Sequence, residues 1–93
     1  MALVTKTRGR TIAFTLNAPD AKEVMISGDF TNWERASLRR MNPKDKIWRK
    51  ELTLKPGRYE YKFLVDGNWI VDPNNHNRTW NNYGSENSVI EVK

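Results

Sequence analysis

The sequence contains no cysteine, so it can form neither a disulfide nor a thiolate metal site. The fold must therefore depend on packing alone, which suits a reducing compartment. No apolar run approaches the roughly 18 residues of a membrane span, and the N-terminus lacks the apolar core of a signal peptide. These absences predict a soluble, cytoplasmic protein. With 93 residues the chain can close one hydrophobic core, and we expect a single domain over residues 1–93.

Residues typical of catalytic centres are also scarce. His76 is the single histidine, and it lies in an asparagine-rich segment without the cysteines or spaced carboxylates that would complete a metal site. The chain has no G-x-S-x-G nucleophile motif and no glycine-rich phosphate loop. Asp29, Asp66 and Asp72 adjoin turns, where aspartate usually hydrogen-bonds its own backbone. The sequence therefore predicts a protein that is not an enzyme and uses no metal or cofactor.

The positive charge of the chain is dispersed. Its formal net charge is +5, but Lys and Arg are scattered from Lys6 to Lys93, and only Arg39-Arg40 and Arg49-Lys50 are adjacent. A nucleic-acid interface usually shows a basic stripe or cluster. The distribution therefore favours an ordinary solvated surface and predicts no nucleic-acid partner and no membrane partner.

Short runs of alternating apolar and polar residues recur along the chain, and no helical periodicity persists. The alternation predicts strands over Arg10–Asn17, Glu23–Ser27, Ser37–Met41, Ile47–Leu54, Arg58–Val65, Asn68–Val71 and Asn87–Val92, with a polar loop from Asp72 to Glu86. Such a series of short strands separated by turns predicts an all-β antiparallel sandwich.

The phase of the alternation predicts which side chains face the core. Trp48 is in phase with Leu52 and Leu54, so we expect it to be buried, and Lys50 falls on the same face. In the most regular run, Tyr59, Tyr61, Phe63 and Val65 point one way, whereas Glu60, Lys62 and Leu64 point the other. In the last strand Ile90 and Val92 are expected inside, with Val89 and Glu91 on the opposite face.

Other aromatic residues stand in polar surroundings. Trp33 ends the segment GDFTNW, Trp69 follows a turn, and Trp80 and Tyr83 lie in the asparagine-rich segment. An exposed indole ringed by hydrogen-bonding groups suits a pyranose, whose C–H bonds pack on the aromatic face while its hydroxyls need donors and acceptors. It also suits the bases of single-stranded nucleic acid. Closing the ends of the sandwich is a third explanation, and composition leaves all three open.

The order and spacing of several motifs resemble a known family. The stretches VMISGDFTNW, LKPGRYEYKFLVDGNWIVDP and GSENSVIEV, with the Trp48 strand between the first two, closely resemble family 48 carbohydrate-binding modules. This family includes the glycogen-binding domain of the AMP-activated protein kinase beta subunit and the N-terminal domains of glycogen branching and debranching enzymes. The resemblance covers residues from about Arg10 to Val92. It implies an immunoglobulin-like (early-set) sandwich that binds α-1,4-linked glucans such as glycogen, starch and maltooligosaccharides.

The resemblance also implies site residues. Trp33 and Trp69 look like two platforms on which sugar rings stack. Lys62 and Asn87 resemble the residues that hydrogen-bond sugar hydroxyls. Ser85 falls where the kinase subunit has a small hydroxyl residue.

The resemblance is weaker in the asparagine-rich segment. Tyr83 stands where the kinase subunit has an apolar residue that inserts beside the glucan, and a tyrosine could stack there instead. Residues Asn74 to Asn82 do not match, so Trp80 receives no role. Because most relatives carry a catalytic or regulatory partner, the alternative function is a protein-interaction module that docks a glucan-active enzyme or a kinase-like complex.

Overall fold

Two antiparallel sheets form the fold of residues 9–40 and 44–93, the part of the chain that the computed structural model describes. Their strands are β1 (Arg10–Asn17), β2 (Val24–Gly28), β3 (Ala36–Ser37), β4 (Ile47–Leu54), β5 (Gly57–Val65), β6 (Asn68–Ile70), β7 (Arg78–Trp80) and β8 (Glu86–Val92). A 3-10 turn spans Asp29–Thr31 directly after β2. The predicted all-β antiparallel fold is confirmed, and in these residues no helix is long and apolar enough to cross a membrane.

The smaller sheet pairs β1 with β4 over their full lengths. Leu16 lies opposite Trp48, and Phe14 lies opposite Lys50. The Trp48 side chain is buried, as predicted, and its Nε1–H donates to the Ala18 carbonyl at 2.9 Å. Lys50 is only half-buried, which lets its apolar stem cover the sheet while the ammonium group reaches water.

The larger sheet has the order β3-β2-β5-β8-β7. Strand β5 is its centre: β2 pairs with one edge, and β8 and β6 pair one after the other along the opposite edge. Because side chains alternate along a strand, β5 contributes Tyr61 and Phe63 to the core and Lys62 to the outer face.

Aromatic rings fill much of the core between the sheets. The Tyr61 ring centroid lies 5.1 Å from that of Phe14 and 5.9 Å from that of Phe63, both in edge-to-face geometry. Phe30, from the 3-10 turn, lies 5.1 Å from Phe14 and closes this cluster at one end. Val92 is buried in the same core, whereas Val89 is buried on the opposite face of β8, opposite Glu60 in the register.

Strands β2, β5, β6 and β8 differ from the predicted bounds by one residue at one or both ends, and two predictions differ in substance. The expected loop from Asp72 to Glu86 contains β7, which pairs with β8, so Thr79 lies opposite Asn87. Three residues are too few to show alternation, and the pairing depends on a partner strand that sequence periodicity does not identify. Strand β3 covers Ala36–Ser37 instead of beginning at Ser37, and the predicted end at Met41 lies outside the described residues.

Candidate functional site

A cavity of about 850 Å³ lies on the outer face of the larger sheet. All six residues predicted for the site border it, together with Trp80 and four further polar residues. The lining comprises Asp29, Trp33, Glu60, Lys62, Trp69, Trp80, Asn81, Asn82, Tyr83, Ser85 and Asn87. The fold therefore brings the predicted residues to one place from β5, β6, β8 and two connecting loops.

The floor of the site follows from the strand register. Residues opposite each other in an antiparallel ladder share a face of the sheet. Trp69 lies opposite Leu64, which shares a face with Lys62 because the two are two residues apart. Trp69 is 45% exposed although it belongs to a strand, so its ring is available for stacking.

The hairpin that carries Trp69 is anchored at its turn. Asp66 and Gly67 both have positive φ, of 47° and 85°, as the tight connection between β5 and β6 requires. Asp66 Oδ1 accepts hydrogen bonds from the backbone N–H groups of Lys22 and Glu23, at 3.0 and 2.8 Å. The Arg35 guanidinium lies 5.8 Å from the Trp69 ring centroid, within the range of a cation–π contact.

Trp33 is placed by a close approach of two strands. A Cβ on Gly28 would lie 2.5 Å from the Glu60 carbonyl oxygen and 2.7 Å from Tyr61 Cβ, so only glycine fits between β2 and β5 there. The 3-10 turn begins immediately after this glycine, and its Asp29 bonds to the Glu60 N–H of β5. The turn thus places Trp33 next to the strands that form the floor of the cavity.

The backbone at Trp33 is left-handed. Asn32 has φ of 53° and Trp33 has φ of 60°, a conformation in which a bulky residue is uncommon. The Trp33 N–H donates to the Gly28 carbonyl at 2.8 Å, and its indole Nε1–H donates to Asp29 Oδ1 at 3.0 Å. The side chain nevertheless remains 41% exposed, so these contacts leave ring surface for a ligand.

Lys62 lies on the floor of the cavity, and its Nζ donates to Ser85 Oγ at 3.1 Å. An ammonium group has three donors, so this bond leaves others for ligand oxygens. The predicted outward orientation of Lys62 is confirmed, since the neighbouring Tyr61 and Phe63 are buried. A half-buried lysine with one satisfied donor is suited to hydrogen-bonding a polar ligand over the sheet.

Asn87 borders the cavity but is almost fully buried. It is only 5% exposed, its Nδ2 donates to Glu60 Oε1 at 3.1 Å, and its Oδ1 accepts from Asn81 Nδ2 at 3.0 Å. An amide has two N–H donors and two acceptor lone pairs, so one of each remains. Asn87 can therefore contact a ligand while its orientation is held by two neighbours.

Asn81 organises the connection between β7 and β8. Its Nδ2 also donates to Ser85 Oγ at 2.8 Å, while its Oδ1 accepts from the backbone N–H groups of Tyr83 and Ser85 at 2.8 and 3.2 Å. Gly84 completes the turn with φ of 77°. These bonds hold the loop that borders one side of the cavity.

Trp80 and Tyr83, on β7 and the loop after it, are more exposed than Trp33 and Trp69. The Tyr83 side chain is 93% exposed at the loop, and Trp80 is 72% exposed. Trp80 lies opposite Glu86, so the register places it on the other face of the β7–β8 ladder from Asn87, although it borders the same cavity. Both residues therefore belong to the rim of the site.

Four polar residues of the site were not predicted from the sequence: Asp29, Glu60, Asn81 and Asn82. Asp29 had the signature of a turn aspartate, and its carboxylate in fact bonds to Trp33 and to the backbone of Glu60. Glu60 shares the phase of Lys62, so alternation alone could have placed it beside the site. Nothing in the run of asparagines distinguishes Asn81 from its neighbours.

One titratable group next to the site is strongly perturbed. Burial raises the pKa of the Tyr61 phenol far above its ordinary value, and the neighbouring Asp72 raises it further, whereas the bond from Asn75 lowers it. Tyr61 therefore stays neutral and donates to Asp72 Oδ2 at 2.7 Å. Within residues 9–40 and 44–93, no three His, Cys, Asp or Glu side chains are grouped to hold a metal ion.

Known proteins are similar to this chain in sequence. A family model described as the glycogen recognition site of AMP-activated protein kinase matches residues 11–93. The chain is 40% identical over 72 residues to 5'-AMP-activated protein kinase subunit beta-1 of Sus scrofa, which covers 77% of the chain and 56% of that protein. It is 39% identical over 84 residues to Protein FLOURY ENDOSPERM 6, chloroplastic, of Oryza sativa subsp. japonica, covering 89% of the chain and 15% of that protein.

A solved structure shares the architecture. The crystal structure of a maltogenic amylase from S. marinus matches with a TM-score of 0.73 at 24% identity, over 95% of the chain and 15% of the amylase. This likeness concerns the fold alone, and it agrees with the predicted immunoglobulin-like sandwich. In each of these proteins the matched region is part of a longer chain.

Proposed function

Because this chain belongs to the family of the glycogen recognition site of AMP-activated protein kinase, we propose that it binds α-1,4-linked glucans such as glycogen, starch or maltooligosaccharides. The observation that carries the proposal is the pair of half-exposed tryptophans, Trp33 and Trp69, on one cavity with Lys62 and Asn87. The binding is non-catalytic, and the site needs no metal or cofactor.

The proposed roles follow from the chemistry of a glucose ring. The apolar faces of successive glucose units stack on Trp33 and Trp69, which removes apolar surface of both partners from water. Lys62 Nζ donates to ring hydroxyls, and the remaining donor and acceptor of Asn87 bond to others. Ser85, which accepts from Lys62, orients that lysine.

Tyr83 has a smaller role in this proposal. Its exposed ring at the rim can close over one side of a bound chain, but it must lose conformational freedom to do so. A shallow site with few immobilised contacts leads us to expect a dissociation constant on the order of micromolar to millimolar.

Titration with maltoheptaose, followed by tryptophan fluorescence and by calorimetry, tests the proposal. Trp33→Ala and Trp69→Ala should each weaken binding about tenfold or more, because each removes a stacking surface. Ile47→Ala is the matched control, since Ile47 is 43% exposed but belongs to the smaller sheet. The β-1,4-linked cellohexaose is the linkage control. Absence of binding, or equal binding by the two tryptophan variants and the wild type, would contradict the proposal.

The salt dependence of binding separates glucan from single-stranded nucleic acid. A neutral glucan should bind nearly equally at 50 mM and 500 mM salt, whereas nucleic-acid affinity falls steeply over such a range. An oligonucleotide that displaces maltoheptaose at low salt, and dissociates from the protein at high salt, would favour the nucleic-acid hypothesis.

A partner protein is the second candidate for this chain. It is supported by the length of the relatives, since the match spans 56% of the kinase subunit and 15% of the rice protein. We propose that a glucan-active enzyme, or a kinase-like complex, is attached to or docked on the module as a separate function. A complex that forms without glucan and survives Trp33→Ala would place docking away from the cavity. The cytoplasmic location stays a prediction, since the rice relative is named as chloroplastic.

A further inference from the structure

The carboxylate of Asp29 joins Trp33 to the centre of the larger sheet. Its Oδ1 accepts from the Trp33 indole Nε1–H at 3.0 Å, and its Oδ2 accepts from the Glu60 backbone N–H at 2.8 Å. Glu60 lies in β5, two residues before Lys62 on the same face. Asp29 therefore connects one aromatic platform to the strand that carries the lysine.

We propose that Asp29 is a positioning residue, which fixes the plane of the Trp33 indole relative to β5 so that a glucan finds the platform already oriented. The inference rests on the proposed glucan-binding function. Asp29 needs no contact with the sugar for this role, because both its oxygens act through protein N–H groups.

The local backbone explains why such a connection is needed. Trp33 follows another left-handed residue, Asn32, at the end of the 3-10 turn, and it is 41% exposed. Packing therefore surrounds only part of the indole, and the bond to Asp29 restricts rotation about its side-chain bonds. An indole that had to become ordered on binding would lose affinity.

The bond to Asp29 also gives the indole N–H of Trp33 a hydrogen-bond acceptor. An indole N–H that was covered by a sugar without a hydrogen-bond partner would oppose binding. Because Asp29 already accepts that N–H, the Trp33 ring can be covered without leaving a donor unsatisfied. Aspartate is suited to the position because it offers two acceptor oxygens, whereas asparagine offers one acceptor and one donor group.

The test uses Asp29→Ala and Asp29→Asn, with Asp20→Ala as the matched control. Asp20 is an exposed turn aspartate that does not line the cavity. The first readout needs no glucan: it is the ¹H–¹⁵N resonance of the Trp33 indole, assigned by its loss in Trp33→Phe. Asp29→Ala should move this resonance and leave the other three indole resonances in place, whereas Asp20→Ala should move none.

The second readout is maltoheptaose affinity. Asp29→Ala should weaken binding about 3- to 10-fold, the range expected when one large side chain loses its order, and Asp29→Asn should lie between it and wild type. In a Trp33→Ala background the Asp29→Ala change should have no further effect, because the indole that it orients is gone.

Two results would overturn the inference. One is an unchanged Trp33 resonance in both Asp29 variants. The other applies if the wild type binds maltoheptaose: Asp29→Ala then weakens binding equally in the wild-type and Trp33→Ala backgrounds. That result would mean that Asp29 contacts the glucan directly or that its loss destabilises the whole protein. If the wild type binds no glucan, the proposed function fails instead, and the indole resonance still decides whether Asp29 positions Trp33.

Discussion

Replacing Tyr61 by phenylalanine should destabilise the protein and also change its response to alkali. The Tyr61 hydroxyl donates to Asp72 Oδ2 at 2.7 Å and accepts from Asn75 Nδ2 at 3.1 Å, in the interior beneath the site. Asn75 keeps a second partner, the Val89 carbonyl at 2.8 Å. Asp72 is only 8% exposed, so the loss of the hydroxyl leaves a buried carboxylate oxygen without its donor.

The size of this effect follows from the character of the bond. A hydrogen bond to a charged acceptor contributes roughly 1.5–3 kcal/mol, and we expect Tyr61→Phe to lower the free energy of unfolding by about 2 kcal/mol. For a domain of this length, that loss corresponds to a fall in Tm of roughly 8–16 °C. Urea denaturation followed by tryptophan fluorescence measures the difference, provided that the slope with urea is unchanged.

Tyr59→Phe is the matched control. Tyr59 lies on the same face of β5, and its hydroxyl donates to the Lys55 carbonyl at 2.6 Å in a solvent-accessible setting. Water can replace that bond, so we expect a loss below about 1 kcal/mol.

The pH dependence gives a second, independent measure. Burial raises the pKa of native Tyr61 above that of an unfolded tyrosine, which titrates near 10. Above about pH 10 the unfolded chain releases this proton while the native protein retains it. The Tyr61 contribution to stability is therefore complete below pH 10 and is lost above it, at up to ~1.4 kcal/mol per pH unit. Tyr61→Phe should remove this part of the alkaline slope, whereas Tyr59→Phe should retain it.

Equal losses of stability in the two phenylalanine variants would refute the reasoning, since burial of the Tyr61 network is its premise. So would an alkaline slope that is the same with and without Tyr61. A loss in Tyr61→Phe below about 0.5 kcal/mol would show that water supplies the missing donor to Asp72.

Two further substitutions test the frame around the cavity. Gly28→Ala should lower the free energy of unfolding by about 1–3 kcal/mol, because its Cβ would lie 2.5 Å from the Glu60 carbonyl oxygen; urea denaturation measures this, and a neutral result would mean that β2 and β5 separate easily. Asn81→Ala should weaken maltoheptaose binding about 3- to 10-fold, because Ser85 and Asn87 both lose a donor. Calorimetry measures that change, and unaltered affinity would show that the loop is held without Asn81.

Alternation predicted the strands that are long enough to display it. In β1, β4 and β5 the phase follows from eight or nine residues, and it assigns Trp48 and Tyr61 to the core and Lys62 to the outer face. Strand β7 has three residues, and its existence depends on pairing with β8, which is a tertiary relation. Local pattern therefore succeeds for the long strands and for β6, which directly follows the Asp66-Gly67 turn, and it fails for β7.

The site divides in the same way. The resemblance pointed to Trp33 and Trp69, and the 3-10 turn and the β5–β6 register bring them to one cavity. The roles of Asp29 and Asn81 could not be predicted, because each acts through hydrogen bonds to residues on other elements or across a turn. An aspartate in a turn has the same sequence signature whether it bonds its own backbone or a strand 31 positions away.

The left-handed backbone at Trp33 lowers folding stability, but it presents the indole ring that we propose binds glucan. A tryptophan in this conformation costs on the order of 1–3 kcal/mol, and glycine would adopt the same φ of 60° without that cost. A library selected only for resistance to heat or protease should therefore enrich glycine at position 33, whereas selection on immobilised glucan should restore the aromatic ring. The residue found at position 33 after selection should therefore show whether the variants were selected for stability or for glucan binding.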